Sequence, residues 1–241
     1  LRGRREGGKA SGIVGKRRMR TVLLALMLAA QNPPPPAPPP NQTPPPRELS
    51  PPHAVIDQEA DTAQARAEAR ETLYAFGRCV ARSSAGMAAE TLAMDFTTRG
   101  YRSRLRQMAD NNRESCFRRR GRMRADNLLF AGGIAEGLLA SDPTPLNARL
   151  ARAALGPATA SFSASDAIAV CVVRSVPDDV ARLFGTEVAS DAEAEALAAV
   201  APAVAACNRS GQPFSATHPG LRAILATAAF RSVRSASVAG H

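Results

Sequence analysis

The stretch that decides the fold is "CVARSS" (residues 79–84), because "CVVRSV" (residues 171–176) repeats its pattern. Cysteine occurs only four times in 241 residues, so two copies of one cysteine-led phrase indicate a repeat. The other two cysteines, Cys116 and Cys207, follow the first of each pair by 37 and 36 residues. We therefore predict a tandem duplication of one four-helix unit, over residues 70–140 and 162–233.

The four cysteines form an even set, which allows three disulfide connectivities. The duplication selects one of them, with Cys79 bonded to Cys116 and Cys171 bonded to Cys207. A metal site or a redox dithiol is disfavoured, since the sequence has no C-x-x-C and no histidine near a cysteine. Closing each loop should stabilise its unit by about 3–4 kcal/mol.

Composition favours an all-α fold. Apolar residues make up 45% of the chain, much of it alanine, and there are no Trp, two Tyr and eight Phe residues. Alanine, leucine and arginine all favour helix. Apolar spacing and start signals predict helices at residues 57–82, 87–96, 101–116, 127–140, 165–174, 177–186, 191–207 and 219–233. Ser190 with Glu193, Thr217 before Pro219, and Ser175 before Pro177 are the predicted start signals.

The N-terminal region is typical of an export signal. Residues 1–20 hold eight of the 31 basic residues, and without them the net charge falls from +10 to +3. Residues 21–30 are apolar, too short for a membrane span but suited to a signal peptide. We expect residues 1–18 to be a mis-called upstream extension, residues 19–30 to be a signal cleaved after Ala30, and the mature protein to be periplasmic without a transmembrane anchor.

A proline-rich segment follows, with twelve prolines in residues 32–52. Such a segment forms polyproline II rather than helix or sheet. We predict a linker over residues 31–54, with a stalk or a ligand for a proline-binding groove as the alternative. The helical units then occupy residues 55–140 and 162–238, joined by a linker with a helical turn at residues 141–161.

The most conspicuous charge feature lies in residues 99–124, where ten arginines accompany only Asp110 and Glu114. The arginines are Arg99, Arg102, Arg104, Arg106, Arg113, Arg118, Arg119, Arg120, Arg122 and Arg124. The matching stretch of the second unit, residues 178–195, has six acidic residues and Arg182 alone. Three interpretations stay open: pairing of the two stretches within the chain or across a dimer, an external anionic partner, or a solvated face.

Recognisable catalytic motifs are missing. The sequence has no G-x-S-x-G, phosphate-binding loop or H-E-x-x-H, and its histidines (His53, His218 and His241) have no neighbouring nucleophile in a known pattern. The glycines of "AGGIAEGLL" (residues 131–139) fit close helix packing better than phosphate binding. We assign no catalytic residue, metal or cofactor, and an envelope hydrolase ranks third among the hypotheses.

Residues 171–231 resemble uncharacterised alanine-rich exported proteins of GC-rich Gram-negative bacteria. The resemblance rests on the Cys-Val-Val phrase, the second cysteine and the closing Leu-Arg helix. It implies export and a helical fold, and it carries no functional residue. We expect a non-enzymatic envelope structural or interaction module that binds a protein partner or itself. The alternative is binding of an anionic envelope component, lipid headgroup or acidic polysaccharide, through the arginines. Nucleic acid is disfavoured because few aromatics accompany them.

Overall fold

Helix-favouring residues dominate the chain, and the computed structural model, which describes residues 52–117, 127–208 and 214–239, contains helices joined by turns and no strand in those ranges. The prediction of an all-α fold is confirmed. None of the helices in these ranges has an apolar stretch long enough to cross a bilayer. The leader and nearly all of the proline-rich segment lie outside the described residues, as do five arginines of the predicted cluster: Arg118, Arg119, Arg120, Arg122 and Arg124.

Ten helices are seen in the described ranges. They are α1 (Pro52–Ser83), α2 (Ala85–Leu92), α3 (Arg99–Asn111), α4 (Arg113–Cys116), α5 (Asn127–Ala140), α6 (Leu146–Leu155), α7 (Ala164–Ser175), α8 (Pro177–Phe184), α9 (Asp191–Cys207) and α10 (His218–Ala239).

The predicted helix starts are partly confirmed. Ser190 accepts a hydrogen bond from the Glu193 amide at 3.2 Å, and Thr217 accepts one from the Gly220 amide at 3.3 Å. The prediction for Ser175 is wrong, because Val176 occupies the cap position of α8 and no side chain caps that helix. Proline at the first turn of α8 already lacks one of the donors that a cap would satisfy.

Two further differences concern helix bounds. The helix predicted over residues 101–116 is divided into α3 and α4 at Asn112, whose side chain donates to the Met108 carbonyl at 2.9 Å and to Ser84 at 3.1 Å. Residues 141–161, predicted to be a linker with one helical turn, contain the ten-residue helix α6. Leu150 and Ala153 are buried on one side of α6, which packs against α7, α8 and α10.

The centre of the molecule consists of α5 and α10. Residues 130–137 of α5 and residues 225–232 of α10 are all buried. Helix α5 lies against α1 and α10, and α10 also contacts α6 and α7. A single hydrophobic core therefore runs through both predicted units, with α2 and α3 on the outside of the first and α8 and α9 on the outside of the second.

Close helix contacts explain the glycines of α5. A Cβ atom on Gly77 of α1 would lie 2.7 Å from the carbonyl carbon of Gly133, and one on Gly137 would lie 2.7 Å from the Cβ of Ala81. On another side of α5, a Cβ on Gly132 would lie 2.7 Å from the Cβ of Ala223 in α10. Only glycine lets the backbones approach so closely. The predicted packing role of these glycines is confirmed.

Both predicted disulfides are present. Cys79 of α1 is bonded to Cys116 at the end of α4, with 5.6 Å between their Cα atoms. Cys171 of α7 is bonded to Cys207 at the end of α9, with 5.8 Å between their Cα atoms. Each bond ties the first helix of a predicted unit to the segment that ends its third helix. No cysteine is left free.

Candidate anion-binding surface

Helix α3 carries the described part of the arginine cluster. Thr98 caps it by accepting a hydrogen bond from the Tyr101 amide at 3.3 Å. One side of the helix buries Tyr101, Leu105 and Met108 against the core. Residues three or four apart share a helix face, so Arg99, Arg102 and Arg106 line up on the exposed side. We call these three residues the α3 arginine face.

The arginines of the α3 arginine face are not held in salt bridges. Its three guanidinium groups make no ion pair with any other residue that the structure describes. Arg104 lies on a different side of α3, where its Nη1 is 3.3 Å from Oε2 of Glu90 on α2. Arg113 is exposed at the start of α4. The structure thus brings three arginines of the predicted cluster, Arg99, Arg102 and Arg106, together on one surface.

The acidic stretch at residues 178–195 does not neutralise that face. None of Arg99, Arg102, Arg104 and Arg106 pairs with a carboxylate of this stretch. Instead, Asp179 pairs with Arg182 at 2.6 Å and Asp178 accepts from the Asn147 amide at 3.1 Å. For these four arginines, the structure therefore shows no pairing of the two charged stretches within the chain, and pairing across a dimer stays a prediction. The attraction between the two halves acts through other residues, in the interior.

Four interior charges join the halves: Arg70 of α1, Glu136 of α5, Glu193 of α9 and Arg222 of α10, here called the Arg222 network. The Arg222 guanidinium binds Glu136 through two hydrogen bonds, Nε to Oε1 at 2.7 Å and Nη2 to Oε2 at 2.9 Å. Its Nη1 donates to Glu193 Oε1 at 3.0 Å. Arg70 Nη2 contacts both oxygens of Glu193 at 2.8 Å. Two arginines and two glutamates leave the group neutral.

Backbone and aromatic contacts complete the Arg222 network. Nη2 of Arg222 also donates to the Thr186 carbonyl at 3.1 Å, and its guanidinium lies 5.5 Å from the centre of the Tyr74 ring. The amide of Ala189 donates to Glu193 Oε2 at 3.0 Å. Ala189 has a φ of 66°, a left-handed conformation that costs a non-glycine residue about 1–2 kcal/mol. The turn before α9 is thus held in a strained form that directs its amide to Glu193.

The two glutamates differ in acidity. Burial raises the pKa of the Glu136 carboxyl above its ordinary value, although its bonds with Arg222 act in the opposite direction. Burial would also raise the pKa of Glu193, but the hydrogen bonds from Arg70 and Arg222 outweigh it and lower that pKa. Every carboxylate oxygen in the network accepts at least one hydrogen bond. This arrangement suits a structural clamp better than a general base, which needs an oxygen open to its substrate.

A second buried ion pair joins Arg231 of α10 to Asp166 of α7, Nη2 to Oδ1. Asp166 Oδ2 accepts from the Phe162 amide at 2.9 Å. The Arg231 guanidinium lies 5.9 Å and 5.4 Å from the ring centres of Phe96 and Phe162, respectively, and the two rings meet edge to face. Phe96 precedes α3 and Phe162 precedes α7, so this cluster is a further link between the halves.

The histidines and the side-chain types that ligate metals can also be located. His218 is exposed at the first residue of α10, the side chain of His53 is not described, and His241 lies outside the described residues. Within the described ranges, no three His, Cys, Asp or Glu side chains converge as they would to hold a metal ion.

The interior charges were not found by sequence reasoning. Their signal is a charged residue within an apolar run of a helix, such as Glu136 in α5 or Arg222 before "AILATAAF" in α10. Charged residues are rarely buried unless they are paired, so each predicts a partner. The partners lie 29 to 123 residues away in sequence, so they can be identified only from the folded structure.

Comparison with known proteins adds no further assignment. No protein family, curated protein or solved structure matches the chain.

Proposed function

We propose that this chain is an exported, periplasmic, non-enzymatic module of the bacterial envelope, which binds an anionic envelope component through the α3 arginine face. Export is supported by the leader-like residues 19–30 and by the two disulfides, which form and persist in oxidising compartments. A non-enzymatic role is supported by the buried carboxylates Glu136, Asp166 and Glu193, each of which is bonded to an arginine.

The observation that carries the proposal is that Arg99, Arg102 and Arg106 are exposed side by side and form no ion pair with any residue that the structure describes. The buried carboxylates Glu136, Asp166 and Glu193 pair with other arginines, so they do not engage this face, and its arginines remain available to an external anion. An arginine close to an anionic membrane surface strengthens binding roughly fivefold, and three together roughly 100-fold. Binding of this kind is reversible and weakens with salt, because the Debye length is about 8 Å at physiological ionic strength.

The test is co-sedimentation of the disulfide-bonded chain with lipid vesicles, with and without anionic lipid, at low and high salt. A parallel arm measures binding to an acidic polysaccharide and so distinguishes the two envelope components. We expect the triple variant R99Q/R102Q/R106Q to bind roughly 100-fold more weakly. The control is R104Q on the same helix, whose arginine already pairs with Glu90. Equal binding by the triple variant, or by neutral vesicles, would contradict the proposal.

Self-association is a second candidate, supported by one apolar surface. Leu155 at the end of α6 is 90% exposed. A groove of about 610 Å³ lies nearby, and its lining begins three residues further along the chain. It is lined by residues from Ala158 to Ile168, by the second disulfide and by Asn208. In the predicted duplication, Ile168 and Asn208 correspond to Phe76 and Phe117, whose rings pack together in the first unit. Smaller residues therefore leave space in the second unit, and Leu155 of another copy would fill it.

Sedimentation velocity at several protein concentrations tests this candidate. We expect a dimer that persists at high salt and dissociates in the variant L155E. The control is M87E, because Met87 is the other large apolar residue exposed in the described part of the chain. A monomer at every concentration would exclude self-association through this groove.

A further inference from the structure

A cavity of about 300 Å³ lies where the two halves meet, beside the Arg231–Asp166 pair. Four segments enclose it: the turn and first residues of α3, the start of α5, the start of α7 and the middle of α10. Its volume is at the small end of the range for ligand pockets, about 300–1,000 Å³. Nothing in the proposed function uses this space.

Much of the cavity lining is apolar. Phe96, Tyr101, Leu128 and Ile224 are its apolar residues, and Ser163 and Thr227 add hydroxyl groups. Asp166 is also part of the wall, but Arg231 neutralises it, and its second oxygen is occupied by the Phe162 amide. An apolar group can therefore enter without facing an unpaired charge. A charged group would lose its hydration there with no free counterion, which is costly.

The charge lies at one side, on Arg102. This residue lines the cavity and is also the middle member of the α3 arginine face. Arg99 and Arg106 are one helical turn before and after it. Asn127 and Ser165 add an amide and a hydroxyl to the lining. The site thus combines an apolar interior with a cationic, hydrogen-bonding edge.

We propose that this cavity binds one apolar chain of an anionic amphiphile, whose headgroup lies on Arg102. The inference rests on the proposed function, since it uses the same arginines, and it adds the class of ligand. The volume equals roughly ten water molecules, so it accommodates one chain of medium length. The chain belongs either to a free single-chain amphiphile or to a membrane lipid, and the test distinguishes these sources.

The experiment is calorimetric titration of the disulfide-bonded chain with sodium hexanoate, octanoate, decanoate and dodecanoate below their micelle concentrations. Each added methylene should strengthen binding about fourfold until the cavity is full. Beyond that length the affinity should level off, whereas adsorption to an open surface would continue to rise. The variant R102Q should weaken every member of the series about tenfold, comparable to the loss of one charged hydrogen bond, and leave the limiting length unchanged. R104Q is the matched control.

A variant that fills the cavity tests the position of the chain. I224W should shorten the limiting length, and S165F is the second choice if I224W does not fold by circular dichroism. If I224W also weakens binding to anionic vesicles, the chain comes from a membrane lipid. If vesicle binding is unchanged, the ligand is a free amphiphile.

Two results would overturn the inference. Affinity that is independent of chain length, or a limiting length unaffected by both filling variants, would place the apolar chain elsewhere. In that case the proposed function stands as long as vesicles still bind through the α3 arginine face. Loss of both alkanoate and vesicle binding would remove the inference and the proposed function together.

Discussion

Arg222 shows what a single buried charge does in this protein. Its side chain is 0% exposed and contacts residues of α1, α5 and α9 together with the turn that follows α8. Replacing a buried ion pair with apolar residues is often neutral or stabilising, so the pair is weak evidence for stability. Its guanidinium has fixed geometry, however, and it specifies how the helices of the two halves are placed relative to one another.

The variant R222M should be strongly destabilised, by about 3–5 kcal/mol, because it leaves Glu136 buried without its counterion. Urea unfolding followed by circular dichroism measures the loss. The loss should be smaller in acid than at pH 7, since protonation of Glu136 removes the unpaired charge. The exposed counterpart R104M should cost at most about 1 kcal/mol. An equal effect of the two substitutions would mean that the Arg222 network does not hold the halves together.

The two tyrosines give a second prediction at this scale, since no tryptophan obscures their absorbance. Burial raises the pKa of Tyr101 to about 12, with smaller effects from Arg231 and Asp166, and burial also raises the pKa of Tyr74. Each buried tyrosine phenol stabilises the folded state below pH 10, where it is protonated in both the folded and the unfolded state. This stabilisation is lost as the pH rises through the pKa of the phenol in the folded state. A phenolate should therefore be undetectable at pH 10 in the folded protein.

Absorbance titration with parallel circular dichroism is the measurement, and the variant Y74F assigns the remaining signal to Tyr101. In denaturant both phenols should titrate with the ordinary tyrosine pKa of about 10. Ionisation at that pH with the helices intact would show that Tyr101 and Tyr74 are not buried.

At the scale of elements, the contact between α1 and α5 depends on glycine. The variant G77A would place a Cβ 2.7 Å from the Gly133 backbone, which cannot move aside as a flexible side chain would. We expect a net loss of about 1–3 kcal/mol from overpacking, despite the better helix propensity of alanine. The control is G86A in α2, where nothing lies within 4 Å of the new Cβ, and it should stabilise by up to about 1 kcal/mol. Thermal unfolding of both variants tests this, and stabilisation by G77A would contradict the contact.

Helices were predictable where local pattern decides them. The bounds of α5 and α9 coincide with the predictions from apolar spacing and start signals. Helix α6 was underestimated because prolines surround it and its buried face is short. The break at Asn112 was missed, and one of the hydrogen bonds made by its side chain there is to Ser84, which is 28 residues away in sequence.

The candidate site also has a part that the sequence predicts and a part that only the fold reveals. Spacing alone places Arg99, Arg102 and Arg106 on one face of a helix, and this could be read from the sequence. The pairing of Glu193 with Arg70 and Arg222, which removes it from the acidic stretch, depends on the tertiary fold. Charge runs show which residues are present, but the fold decides which of them remain unpaired.

For the whole molecule, the halves have corresponding parts. A disulfide ties the first helix of each predicted unit to the segment that ends its third, and the fourth helices, α5 and α10, pack together at the centre. This correspondence supports the predicted duplication, which stays a prediction. The Arg222 network and the Arg231–Asp166 pair then join the halves into one core.

Export and the two disulfides underlie everything proposed for this chain, and one digest tests both. Non-reducing peptide mapping by mass spectrometry, on protein recovered from the envelope fraction of its host, reports the mature N-terminus and the cysteine connectivity. We predict a start near Gln31, with Cys79 linked to Cys116 and Cys171 linked to Cys207. Free thiols on a chain that keeps residues 1–30 would contradict export and, with it, the proposed envelope function.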